Sequence, residues 1–185
     1  VDPVLATAAA IAGGMAAGWV TGVLHTKLKI PGLLSGILSM IALYSINIRI
    51  MGKANITLLK SDTVFTGISA LGITGQWAVM LVGAGLTAAV ILFLYWFFGT
   101  ELGCAIRATG DNEKMARAQG INTDTMKLLG LMLSNGLVAF SGALIAQNQR
   151  YADITMGQGA IVIGLASVII GEVLFDRGGF LRRFF

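Results

Sequence analysis

The sequence predicts an all-α, polytopic integral membrane protein with about five transmembrane helices. Three observations carry that prediction. The 185-residue chain is 56% apolar and only 12% charged, about half the charged share of soluble domains. It contains apolar blocks of roughly the 20 residues that cross a bilayer as a helix. Mean hydropathy is +0.81, and 25 glycines stand against two prolines, as suits helices packed closely through small residues.

The elements follow in order. The first span is expected at 4–24, with Asp2 as cap and Pro3 in the first turn. The second, 32–48, is entered through Pro31. The stretch 51–76 is too polar to span and reads as a loop holding a short helix or a re-entrant piece. The third span, 77–98, has Trp77 at one end and Tyr95 and Trp96 at the other, the pattern of interfacial aromatic belts. The fourth and fifth are expected at 128–147 and 159–175. The opening lacks an initiator Met and a basic leader, and the end reads "GGFLRRFF". The expectation is a single membrane domain over 1–185, cut from a longer chain.

Lysine and arginine orient the spans. With the N-terminus outside, nine of the 13 lie inside, including Lys27, Lys29, Arg107, Lys114, Arg117 and Lys127. Four lie outside: Arg49, Lys53, Lys60 and Arg150. Positive charge favours the cytoplasmic side, which places the segment 101–127 there. Seven of the chain's charges fall in "RATGDNEKMARAQGINTDTMK", residues 107–127. Within it Asp111 is a candidate cap for a short helix over 112–119, and Glu113 complements the positive helix end. Lys114 and Arg117 follow, Met115, Ala116 and Ala118 supply small apolar contacts, and Gly120 suits the left-handed stop. So short a helix needs external support. The segment is either a solvated loop or a docking helix for a cytoplasmic partner.

The stretches "GCAIRATGDNEKMARAQGINTDTMKLLGLMLSNGLVAFSGALIAQ" and "GQGAIVIGLASVIIGEVLF" resemble permease subunits of bacterial ABC importers. The likeness is to the branched-chain amino acid and ribose permease superfamily. The motif falls on Ala108, Gly110, Asp111, Asn112, Met115, Ala116, Ala118, Gly120 and Ile121, with Met115 where alanine is frequent. Upstream, "HTKLKIPGLLSGILSMIALYSINIRIMGKANI" is similar to a subgroup of permeases paired with binding lipoproteins of the aromatic-amino-acid type. The resemblance implies that Asp111, Asn112, Glu113, Met115, Ala116, Arg117, Ala118 and Gly120 couple the chain to a separate ATP-binding subunit. It further implies an extracytoplasmic solute-binding protein, a permease homodimer or heterodimer, the bacterial plasma (inner) membrane, and an amino acid rather than a sugar as solute. The chain has no G-x-x-x-x-G-K-[ST] phosphate loop, in keeping with an ATPase elsewhere.

Few residues offer other chemistry. One cysteine, Cys104, and one histidine, His25, exclude a disulfide framework and a multi-histidine metal site. No cofactor, metal, nucleic acid or catalytic group is expected. Cys104 reads as an inert thiol, and His25 with Lys27 and Lys29 as an interfacial cation cluster. Gly14, Gly18 and Gly22, and again Gly32 and Gly36, form small-residue stripes expected to pack helices. Polar groups inside a membrane face bundle interiors or wet cavities. Tyr44 and Asn47, which share a helix face, Asn135 and Glu172 are therefore candidates for a translocation path, with Ser39 and Ser45 beside them. Asn135 serves equally as a helix–helix hydrogen bond, and Glu172 as a partner of Arg177. A self-contained secondary transporter or channel is the rival class; a single intramembrane acid argues against it. A non-transporting anchor is the other.

Overall fold

A computed structural model describes residues 2–58, 76–157 and 160–175. Seven helices are described. The membrane-length helices are α1 (Pro3–Thr26), α2 (Gly32–Met51), α3 (Gln76–Phe98) and α6 (Thr123–Gln149). Between α3 and α6 lie α4 (Glu101–Asp111) and α5 (Glu113–Ala118), and α7 (Ala160–Phe175) comes last. The chain is therefore an all-α polytopic membrane protein with four helices long and apolar enough to span. The fifth expected span, α7, has 16 described residues, about 24 Å of helix.

Each expected span falls on a helix, within three residues at most ends. The exception is α6, which starts five residues early because Asn122 caps it. Pro3 occupies the first helical position, but the Asp2 side chain makes no capping bond. Lys29, with φ +53°, turns the chain between α1 and α2. There the His25 Nδ1–H donates to the Ile30 carbonyl at 2.9 Å. His25 thus staples the turn that carries Lys27 and Lys29.

The polar stretch after α2 holds a strand. Residues β1 (Asn55–Thr57) pair antiparallel with β2 (Tyr151–Asp153), Asn55 opposite Asp153. Sequence periodicity gives no signal for so short a ladder. It ties the ends of α2 and α6 to one side, where the charge count puts both. The expected short helix or re-entrant piece, and Lys60, fall in 59–75, outside the described residues.

Helices α1 and α6 pack antiparallel through glycine. A Cβ at Gly18 would lie 2.5 Å from the Leu131 carbonyl oxygen and 2.8 Å from Met132 Cα. One at Gly14 would meet the Asn135 oxygen at 2.6 Å, and one at Gly22 would meet Leu128 Cα at 3.2 Å. Backbone meets backbone along three turns, as a small-residue stripe allows. At the far end the Gln147 amide donates to Thr7 Oγ1 at 2.9 Å. The second stripe behaves otherwise: nothing lies within 4 Å of a Cβ at Gly36, and only the His25 ring within that distance at Gly32. Gly36 borders open space, so the expected packing fails there among the described residues, whereas Gly32 meets the His25 ring of α1.

Among the described residues Ala116 is the only buried apolar side chain other than glycine, while Leu33, Ile41, Leu92 and Val162 are exposed. Apolar side chains point outward and small or hydroxyl-bearing ones inward. That inversion of the soluble pattern is what lipid as solvent imposes.

Candidate functional site

The charged segment builds two helices where the sequence suggested one. Thr100 opens α4, its hydroxyl accepting from the Gly103 amide at 3.3 Å. Gly103 lies tight against the preceding turn, where a Cβ would sit 2.5 Å from Phe98 Cα. The helix runs on through Asp111, whose side chain is exposed. Asp111 is therefore the last residue of α4 and not the cap of α5. Asn112 takes that role, with φ −147° and ψ 96°, and Oδ1 accepts from the Met115 amide at 3.1 Å. Its own amide still donates to the Ala108 carbonyl at 3.0 Å. One residue ends α4 and begins α5.

The other end of α5 is closed as firmly. Gly120 has φ +85°, its amide donates to the Arg117 carbonyl, and the Ile121 amide donates to the Ala116 carbonyl, both at 3.1 Å. This pair of bonds is the left-handed helix stop that favours glycine, as expected from sequence. Two residues later Asn122 caps α6, accepting from the Thr125 amide at 3.3 Å.

Charge fixes α5 against the start of α6. Lys127 Nζ donates to Glu113 Oε2 at 2.7 Å. Arg117 Nη2 donates to Thr123 Oγ1 at 2.7 Å and meets Glu113 Oε1 and Asp124 Oδ1 at 3.3 Å each. Thr123 is 1% exposed, a tether at the base of the network. The hydrogen bond from Lys127 holds the Glu113 carboxyl below the usual carboxylate range against the desolvation that opposes it, aided by the positive charges of Lys127 and Arg117 and by the Thr123 hydroxyl. The three apolar residues expected to share one face separate: Ala116 turns inward at 2% exposure, while Met115 stands 59% exposed and Ala118 is exposed beside it. The outer face of α5 offers Lys114, Met115, Ala118 and Gln119 to the surroundings.

A cavity of about 1000 Å³ adjoins this network. Tyr44 and Asn47 of α2 and Asn135 of α6 line it, as do Thr21, Ser35 and Ser39. Ile154 and Gly157 border it beyond the β ladder, and Glu113 and Lys127 at the charged end. Three of the four residues singled out for a translocation path thus share one cavity. The fourth, Glu172, belongs to α7, but its side chain lies outside the described residues, as does Arg177. Asn135 makes no bond to another helix; its amide donates to the Leu131 carbonyl of its own helix at 2.9 Å. Bonds between the long helices come instead from Thr21 Oγ1 to Ser39 Oγ, 2.7 Å, and from Gln147 to Thr7. Ser45 bonds its own helix at Ile41 and does not border the cavity.

Sequence reasoning missed Lys127 and Thr123 as members of the network. Their charge and hydroxyl were visible, but their pairing depends on the direction of the turn at 119–122. Cys104 is exposed, its thiol directed at the Phe98 carbonyl. Among the described residues no three His, Cys, Asp or Glu side chains gather as metal ligands do.

Residues 2–178 match the family described as branched-chain amino acid transport system, permease component. The chain belongs to that family. A tyrosine transport system permease protein of Clostridioides difficile is 46% identical over 182 residues, 98% of this chain and 59% of the relative. An uncharacterised protein of Rickettsia prowazekii is 35% identical, across 90% of this chain and 57% of its own length. The autoinducer 2 import system permease protein LsrC of Yersinia pestis is 27% identical, across 86% and 44%. The chain thus spans about half the length of these curated relatives. No solved structure matches it. Membership of a permease family agrees with the cavity and the outward apolar faces.

Proposed function

We propose that this chain is the membrane-spanning permease part of an ATP-driven importer. It moves a small polar solute, an amino acid before a sugar, through the cavity bordered by Tyr44, Asn47 and Asn135. A separate ATP-binding subunit docks on residues 111–120 from the cytoplasm. An extracytoplasmic binding protein delivers the solute, and two permease chains assemble in the bacterial inner membrane.

The observation that carries this reading is the juxtaposition of α5 with the cavity. A six-residue helix, too short to persist alone, is capped at both ends by Asn112 and Gly120 and strapped to α6. Its exposed face holds Met115, a side chain that adapts to partner surfaces. Glu113 and Lys127 belong at once to that strap and to the cavity wall. A force applied to α5 therefore reaches the cavity lining within one helical turn. The solute class rests on the cavity's uncharged polar groups, whose one acid and one ammonium neutralise each other, and on the tyrosine permease at 46% identity.

The test is a photo-cross-linking amino acid placed at Met115, with a second at Trp19 on an exposed face of α1 (51% exposed) as control. In the assembled complex Met115 should capture the purified ATP-binding subunit and Trp19 should not. Equal capture from both positions, or none from Met115, would overturn the docking assignment.

A further inference from the structure

Residues 119–122 join α5 to α6 and contain Gly120 in the left-handed conformation. A joint of this kind bends easily, because glycine resists rotation less than any other residue. What holds it is almost wholly polar. Ala116 is the one buried apolar side chain of α5. The side-chain bonds that cross the joint come from Glu113 to Lys127 and Thr123, and from Arg117 to Thr123 and Asp124. Of these partners only Lys127 lies beyond the first turn of α6 and also borders the cavity. One and two turns further along α6 the same cavity is lined by Leu131 and Asn135.

We infer that the Glu113–Lys127 ion pair locks α5 and the start of α6 into one lever, so that docking force on α5 turns the cavity-lining helix instead of bending the joint. Glu113 and Lys127 act as positioning residues in this scheme: their charged groups pair with each other at the cavity wall, while Lys114, Met115, Ala118 and Gln119 form the outer face of α5. The 2.7 Å contact is the shortest of the two helices' ion pairs, and Lys127 is the less exposed partner, at 28% against 41% for Glu113. Arg117 and Asp124, at 61% and 58%, are more freely screened by solvent and salt. The inference rests on the docking reading for its role in transport, while the mechanical lock stands or falls by itself.

Two readouts separate these. In the Cys104→Ser background, spin labels at Met115→Cys and Thr125→Cys report the distance across the joint in the permease alone. Glu113→Gln and Lys127→Met should each broaden that distance distribution, and the double variant should be no broader than either single. Unchanged distances in the single variants, or additive broadening in the double, would overturn the lock. In the reconstituted importer Lys127→Met, which lies outside the docking residues 111–120, should bind the ATP-binding subunit normally yet lose severalfold in solute moved per ATP hydrolysed. The double variant should lose no more, as expected of two groups acting through one contact. Undiminished transport per ATP with a broadened joint would overturn the lever. Failure of the unaltered permease to bind the ATP-binding subunit would instead strike the docking reading and leave the distance result to judge the lock.

Discussion

Gly13 and Gly18 lie on the same helix, and substituting each by alanine should have opposite consequences. Both changes gain the same intrinsic helix propensity, about 1 kcal/mol in a helix interior, so that term cancels in the comparison. A Cβ at Gly13 meets nothing within 4 Å, whereas one at Gly18 lies 2.5 Å from the Leu131 oxygen. Ordinary contact begins near 3.4 Å, so α1 and α6 must separate by about 0.9 Å at that level. The neighbours are backbone atoms of a helix, which cannot rotate away. Overpacking of this kind costs about 1–3 kcal/mol. A difference of about 2 kcal/mol corresponds to roughly 4–8 °C in Tm for a chain of this size. The assay is thermal unfolding of the purified protein in detergent, followed by circular dichroism and by aggregation. Gly13→Ala should match or exceed the unaltered protein, and Gly18→Ala should melt below Gly13→Ala by that margin. Equal midpoints would refute close backbone packing of α1 on α6.

Three further outcomes are expected. Asn112→Ala should weaken α5 by about 1 kcal/mol, seen as faster amide exchange at Met115, while Asp111→Ala leaves that exchange unchanged. Gly120→Val should strain the left-handed stop by about 1–3 kcal/mol, although the site has room for a side chain; ATP-linked uptake should vanish with membrane insertion intact, and normal uptake would count against the docking helix. The Glu113 carboxyl is held below its usual value of 4.5, so its native charge pair strengthens folding above pH 4.5 and that contribution disappears as pH falls through the lowered native value. A spin label at Met115→Cys should therefore keep its mobility from pH 7 to about pH 5 and gain mobility only at more acid pH; loosening already at pH 6 would contradict the pairing.

Much of this architecture was legible because a bilayer imposes length and composition on every span. The stripe at Gly14, Gly18 and Gly22 announced close packing, and Gly120 announced a helix stop. What the stripe at Gly32 and Gly36 could not announce was its neighbour: spacing shows that a helix face is small, not what lies against it. Helix α4 was hidden for a different reason. Its sequence "ELGCAIRATGD" carries two glycines and two β-branched residues, poor propensity overall. Gly103 nonetheless tucks it under Phe97 and Phe98, and Ile106 reaches Gly130 on α6. With α4 unseen, Asp111 looked like the better cap than Asn112, since either residue type can cap and only the end of the preceding helix decides between them. Tyr44 and Asn47 shared a face by arithmetic, and that face borders the cavity. Asn135 lies on a membrane-length helix, as expected, but its bond closes within that helix.

The central claim is that a separate ATPase powers this chain, and reconstitution tests it most directly. Proteoliposomes carrying the permease would be supplied with radiolabelled amino acids and the binding protein, with and without the ATP-binding subunit and internal ATP. Uptake against a gradient should appear only when both the subunit and ATP are present. Accumulation without them, driven by a sodium or proton gradient alone, would contradict the account.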